Sequence, residues 1–215
     1  MPGIARIITG AAILALLGCG RPSLPSHTGE STMTEPVLAV DFHVGPDQLE
    51  ISYAITNDSD ATVLVFDSMY DMTAEALDKN WAYADFAGGS ALIKRQMELL
   101  PQGLTFENPP VPYAREIAPS QKATGRFTLP LPIKATGPYL PILRRTEPVQ
   151  VDVASIQLQV GWCAKPKWDP LPPYVSHVEL EGQNLIMMPY SVVAGMQKTV
   201  RSAPRPIQVR GIDLR

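Results

Sequence analysis

The sequence predicts an all-β protein, an antiparallel β-sandwich with long proline-rich loops and at most one short helix. Three observations lead there. Proline accounts for 22 of 215 residues, roughly twice average usage. Because it is scattered along the chain, and each proline inside a helix removes a hydrogen bond and clashes with the preceding turn, a helical bundle is excluded. Apolar and polar residues alternate at a period of two in one segment after another from residue 37, as half-buried strands do. Turn signals recur at short intervals, without the strand–helix alternation that builds a parallel sheet.

Leu38, Val40, Phe42 and Val44 alternate with Ala39, Asp41 and His43. The turn Gly45-Pro46-Asp47 leads into Leu49, Ile51, Tyr53 and Ile55, again every second residue. Asn57-Asp58-Ser59-Asp60 is the next turn, since short Asx and Ser side chains bond their own backbone. Residues 62–66 are β-branched and apolar, so the first three strands are expected to form a meander. Thr73 suits the cap of two helical turns over residues 73–79. Residues 81–86 and 91–99 flank Ala87-Gly88-Gly89-Ser90 as a hairpin, and the prolines of residues 101–112 mark a loop. Phe127, Leu129, Leu131 and Ile133 alternate across Pro130 and Pro132. A proline offers no N–H to a neighbouring strand, which places this segment at a sheet edge. Val149, Val151 and Val153 are odd-numbered, whereas Ile156, Leu158, Val160 and Trp162 are even. That change of phase predicts a bulge or tight bend near Ala154 and Ser155. Residues 177–180 and 185–188 form a late hairpin about 181–184, and segments 191–200 and 207–212 read as two last strands.

The start of the chain has a different character: residues 1–20 read MPGIARIITGAAILALLGCG. Arg6 precedes an uncharged apolar run at residues 7–17. That run is too short to cross a bilayer, which takes about 20 residues, and suits the apolar stretch of a signal peptide. It ends in Leu16-Leu17-Gly18-Cys19, which resembles the lipobox of bacterial lipoproteins. The resemblance implies that Cys19 is the lipidation site, with diacylglyceryl transfer to its thiol and cleavage before it. Residues 1–18 are then a lipoprotein signal peptide. Leu17 departs slightly from the pattern, where Ala, Ser, Thr or Val is commoner. Gly20 is not the Asp associated with inner-membrane retention, which implies the periplasmic leaflet of the outer membrane. Residues 19–36, rich in Gly, Pro, Ser and Thr, form a lipidated flexible linker. Residues 37–215 remain as a single β-sandwich domain, long enough to bury a core without disulfides.

Within that domain, residues 49–71, LEISYAITNDSDATVLVFDSMYD, resemble the opening of BsuPI-type proteinase inhibitor domains. The likeness lies in an Asn-polar turn between two strands and in Phe66, Ser68 and Asp71 at the end. Ile117-Ala118-Pro119-Ser120 is similar to the step such domains use before a late strand, with Ser120 where Gly is usual. The resemblance implies an immunoglobulin-like sandwich and, as an activity, proteinase inhibition.

Chemistry is harder to find. The 18 basic and 21 acidic residues give a net charge of −3, without the basic face that nucleic acid requires. His27, His43 and His177 lie far apart, and no metal-ligand spacing joins them. Asp58, Asp60, Asp67 and Asp71 lack EF-hand spacing, and turn chemistry accounts for the first two. No Gly-x-Ser-x-Gly elbow or phosphate-cradling loop is present. Of two cysteines, only Cys163 could be a free thiol. By strand parity it faces opposite to Trp162 and is expected to be exposed or at a second packing face. Residues 165–174, KPKWDPLPPY, form a rigid loop displaying Trp168 and Tyr174. Rigid aromatics bury area at little entropic cost, so these two are the candidate binding surface; the alternative is that both rings cap the end of the sandwich. Arg201, Arg205, Arg210 and Arg215 give the C-terminal segment a basic cast, as expected of solvated strand faces.

The expected function is that of a lipid-anchored envelope protein, a non-enzymatic binding or assembly module with no catalytic residues, metal or cofactor. Its expected contacts are the membrane, through Cys19, and an envelope protein. A BsuPI-like proteinase inhibitor is the alternative. An envelope hydrolase, the third class, would need a cleft with two convergent carboxylates.

Overall fold

In the computed structural model, which describes residues 34–140 and 147–214, the alternation of the first segments builds a three-stranded antiparallel sheet. β1 (Val37–Val44) pairs with β2 (Gln48–Thr56) from Val37↔Thr56 to Val44↔Leu49. The Gly45 N–H closes the turn on the Gln48 carbonyl at 2.8 Å. Leu49, Ile51, Tyr53 and Ile55 are buried on one face of β2, the outcome a period of two requires when one face is wet.

β3 (Val63–Ser68) does not continue the meander. It crosses to the second sheet, where β8 (Tyr113–Ile117) and β11 (Val149–Ala164) flank it, while β2 takes β9 (Lys122–Pro130) as its other neighbour. The expected three-stranded meander is therefore corrected to a two-stranded hairpin and a crossover. The physical reason lies in Val63-Leu64-Val65-Phe66, an unbroken apolar run buried on both faces; a strand of that kind belongs between two cores, not in a sheet with one wet face. Asn57 anchors the crossover. Its fully buried amide donates to the carbonyls of Ala61 (2.8 Å) and Ile117 (2.9 Å), and its side-chain oxygen accepts from the Ser59 N–H and hydroxyl.

The larger sheet runs β10 (Ile133–Lys134), β15 (Arg205–Asp213), β11, β3, β8, β13 (Gln183–Met187), β12 (Ser176–Leu180). β14 (Lys198–Arg201) and β7 (Ser90–Arg95) also pair with β11, and β6 (Tyr83–Ala87) with β7. The sheets are antiparallel throughout except that β7 runs parallel to β11 and β10 parallel to β15. The β6–β7 hairpin turns on Gly88 and Gly89, both at positive φ, a conformation that costs glycine nothing. Register shifts between Val153 and Ser155, the bulge that the change of phase predicts. The Gly89 carbonyl accepts the N–H of Ala154 there at 2.8 Å. β9 is an edge strand and ends at Pro130, where the missing N–H is harmless.

Two expectations about helix and strand are reversed. Residues 73–79 do not form a helix. Asp71 accepts the backbone N–H groups of Thr73 (2.7 Å) and Ala74 (3.1 Å), which closes a turn, so that β4 (Tyr70–Asp71) pairs with β5 (Ala76–Leu77). A short carboxylate side chain competing for local N–H groups outbids the helix. Conversely, α1 (Tyr190–Met196) occupies the first part of the expected strand 191–200, and only Lys198–Arg201 is extended. Pro189 caps α1 without a side-chain bond; burial of Val193, rather than propensity, holds it.

The result is an all-β sandwich with two apolar cores. One fills the space between the sheets, with Leu49, Ile51, Ile55 and Phe127 opposite Val65, Ile93, Leu158 and Trp162. The other lies on the outer face of the large sheet, where α1 and the loop before β12 cover Leu64, Phe66, Cys163 and Ile186.

Candidate functional site

Strand parity places four polar side chains among the inward-facing apolar ones. Tyr53 continues the buried set Leu49 and Ile51 along β2, Arg95 follows Ala91 and Ile93 on β7, and Asp67 follows Val63 and Val65 on β3. Arg115 lies opposite Val65 on β8. They meet at one margin of the inter-sheet space, where a cleft of about 130 Å³ opens to solvent.

Each is held by definite bonds. The Tyr53 hydroxyl donates to the Asp67 carboxylate at 2.7 Å, and the Arg115 guanidinium donates to the same carboxylate oxygen. Arg115 also donates to the Thr124 carbonyl at 3.0 Å. Arg95, only 5% exposed, donates through Nε (3.1 Å) and Nη2 (2.5 Å) to the Asp67 carbonyl and through Nη1 (3.3 Å) to the Lys79 carbonyl. Its guanidinium carbon lies 4.7 Å from the centre of the Phe127 ring, 5.6 Å from Trp81 and 5.9 Å from Tyr53. Gly125 makes the arrangement sterically feasible, because a Cβ there would sit 2.2 Å from the Tyr53 ring.

The electrostatics are unbalanced. Asp67 is buried and neutralises one guanidinium, while among the described residues Arg95 has no carboxylate within ion-pair reach. Removing an ion from water costs several kcal/mol even after relaxation, and a cation–π contact returns about 0.5–2 kcal/mol. Rings and carbonyls therefore offset part of the cost, and a net positive charge remains on the floor. Burial raises the Tyr53 hydroxyl pKa first, and the neighbouring Asp67 charge raises it further; Tyr53 stays a neutral hydrogen-bond donor. At the rim, Arg126 pairs with Glu50 at 2.5 Å and Lys79 with Glu181 at 3.1 Å.

The residues singled out from sequence lie elsewhere. Cys19 falls outside the described residues. Trp168 is half-buried and packs on the outer core, whereas Tyr174 is 56% exposed. The structure thus separates the two candidate binding aromatics by role, one packing and one displayed. Cys163 is buried at the second packing face, and burial pushes its thiol pKa up to about 12. His43 and His177 are exposed on their strands. Arg205 and Arg210 are exposed on β15, and Arg201 donates to Gln159. Among the described residues no group of three His, Cys, Asp or Glu side chains is placed to hold a metal ion.

Sequence reasoning passed over Arg95 and Arg115. The available signal was phase, since both fall in step with the apolar residues of their strands. Compared with protein-family models, with curated proteins and with solved structures, the chain matches none.

Proposed function

We propose that this chain is a lipid-anchored protein of the bacterial cell envelope, held at the periplasmic leaflet of the outer membrane. In this reading its immunoglobulin-like sandwich binds a partner or assists assembly without catalysing a reaction. The observation that carries it is the succession at the N-terminus. Arg6, the apolar run 7–17, Leu16-Leu17-Gly18-Cys19 and a Gly/Pro/Ser/Thr-rich spacer follow one another in the order an anchored domain needs. A binding role is supported over chemistry by the state of the reactive groups. The Cys163 thiol is buried with its pKa driven up, where a nucleophile needs it lowered, and the Asp67 carboxylate is engaged by Tyr53 and Arg115.

Replacing the anchor tests this. Cys19→Ser should abolish acylation, read by labelling with an alkyne fatty acid, and move the protein from the membrane to the soluble fraction. Membrane retention of an unacylated Cys19→Ser protein would sink the anchor.

A second reading, a BsuPI-like proteinase inhibitor, is favoured by one observation. The two segments that carry that resemblance are bonded together, since Asn57 donates to the Ile117 carbonyl and accepts from the Ser120 N–H at 2.8 Å. A panel of envelope proteases tests it; inhibition of none rejects it.

A further inference from the structure

We propose that the cleft floored by Arg95 and Arg115 binds a monoanionic carboxylate. The floor holds two guanidinium groups and one carboxylate, Asp67, so one added negative charge balances it. Donors remain to receive that charge. Of the five N–H groups of a guanidinium, Arg95 uses three and Arg115 two on acceptors among the described residues. The Arg115 Nε is buried with no acceptor among them. Forked donors suit the planar, two-oxygen shape of a carboxylate. At the rim Arg126 and Lys79 face Glu50 and Glu181, and the exposed Asp78, which accepts the Asn80 N–H, adds one negative charge. Solvent screens these exposed charges, so the buried floor sets the field that a ligand meets. About 130 Å³ is far below the roughly 300–1,000 Å³ of pockets for drug-sized ligands. The cleft therefore takes a carboxylate and a few carbons, such as a free small acid or the C-terminal end of a peptide.

This names the ligand class of the binding module and rests on that reading. It fails separately, because a Cys19→Ser protein should bind the carboxylate as well as the anchored one. The experiment is calorimetric titration of the full chain in neutral detergent at constant ionic strength. The probes are acetate, an acetylated alanine tripeptide with a free C-terminus, and the same tripeptide as its amide. Saturable binding of the free acid and none of the amide is expected. Saturation by acetate too assigns the site to any small carboxylate, and saturation by the tripeptide alone assigns it to chain ends. Arg95→Gln, with its fold verified by circular dichroism, should weaken binding at least tenfold. The exposed rim substitution Arg126→Glu, which leaves the core untouched, should weaken it severalfold. Asp67→Asn adds a positive charge to the floor and should tighten binding, the opposite of what a purely structural cluster would do. Equal response to acid and amide overturns the proposal, as does unchanged binding in Arg126→Glu or tighter binding of inorganic sulfate than of acetate.

Discussion

Cys163 shows how much one side chain's surroundings decide. On β11 it follows Trp162, and the two residues face different cores. Burial alone lifts its thiol from an ordinary 9.0 to about 12. Between those values the unfolded chain has released a proton that the folded chain keeps, so stability must fall as pH rises through that window. Below about 9 the contribution is fully present. Urea midpoints measured from pH 8 to 11 should decline, and Cys163→Ala should flatten that decline; an unchanged slope in the variant would show that other groups set it. At pH 8 a thiol reagent should modify Cys163 only after denaturant is added. That Cys163 faces away from Trp162 was legible from parity, because the side-chain period of a strand is two; that a second core rather than solvent lies there was not. Nor was its inertness, because desolvation depends on α1 and the loop before β12, which cover it from distant parts of the chain.

At the scale of elements, local signals worked where local forces dominate. The β6–β7 hairpin, the bulge after Val153 and the edge position of β9 all follow from glycine, phase and proline. They failed where a distant partner outweighs propensity, at β3 and at α1, and at β4–β5, where the Asp71 side chain takes the local N–H groups. The pairing of β2 with β9 adds a testable constraint. Tyr53 stands opposite Gly125 in register, and its ring fills the space a Cβ would need. Gly125→Ala should displace that ring, break its 2.7 Å bond to Asp67 and cost about 1–3 kcal/mol, the usual range for overpacking. Chemical denaturation checks the figure. In a Tyr53→Ala background the Gly125→Ala cost should shrink, since the clashing ring is gone.

Across the whole molecule, β3 and β11 are walls common to both cores. Losing either core exposes the back of the other, so the domain should unfold in one step. Tryptophan fluorescence and far-ultraviolet circular dichroism should give coincident urea transitions. Substituting the outer-core Trp168 with Ala should shift both curves together, by about 1–3 kcal/mol for a partly buried ring. Separate transitions for the two probes would show that the cores are energetically independent.

The sequence by itself determined the all-β class, the period-two strands, the turns and an apolar run at residues 7–17. These depend on chain-local facts: φ preferences, missing N–H groups, side-chain alternation and an apolar run of a given length. Only the tertiary structure decided which strands pair, where the second core lies, and that Tyr53, Asp67, Arg95 and Arg115 share one cleft. Those four come from four different strands. Phase told each which way to face, and only the packing of two sheets against each other brought their charges within reach.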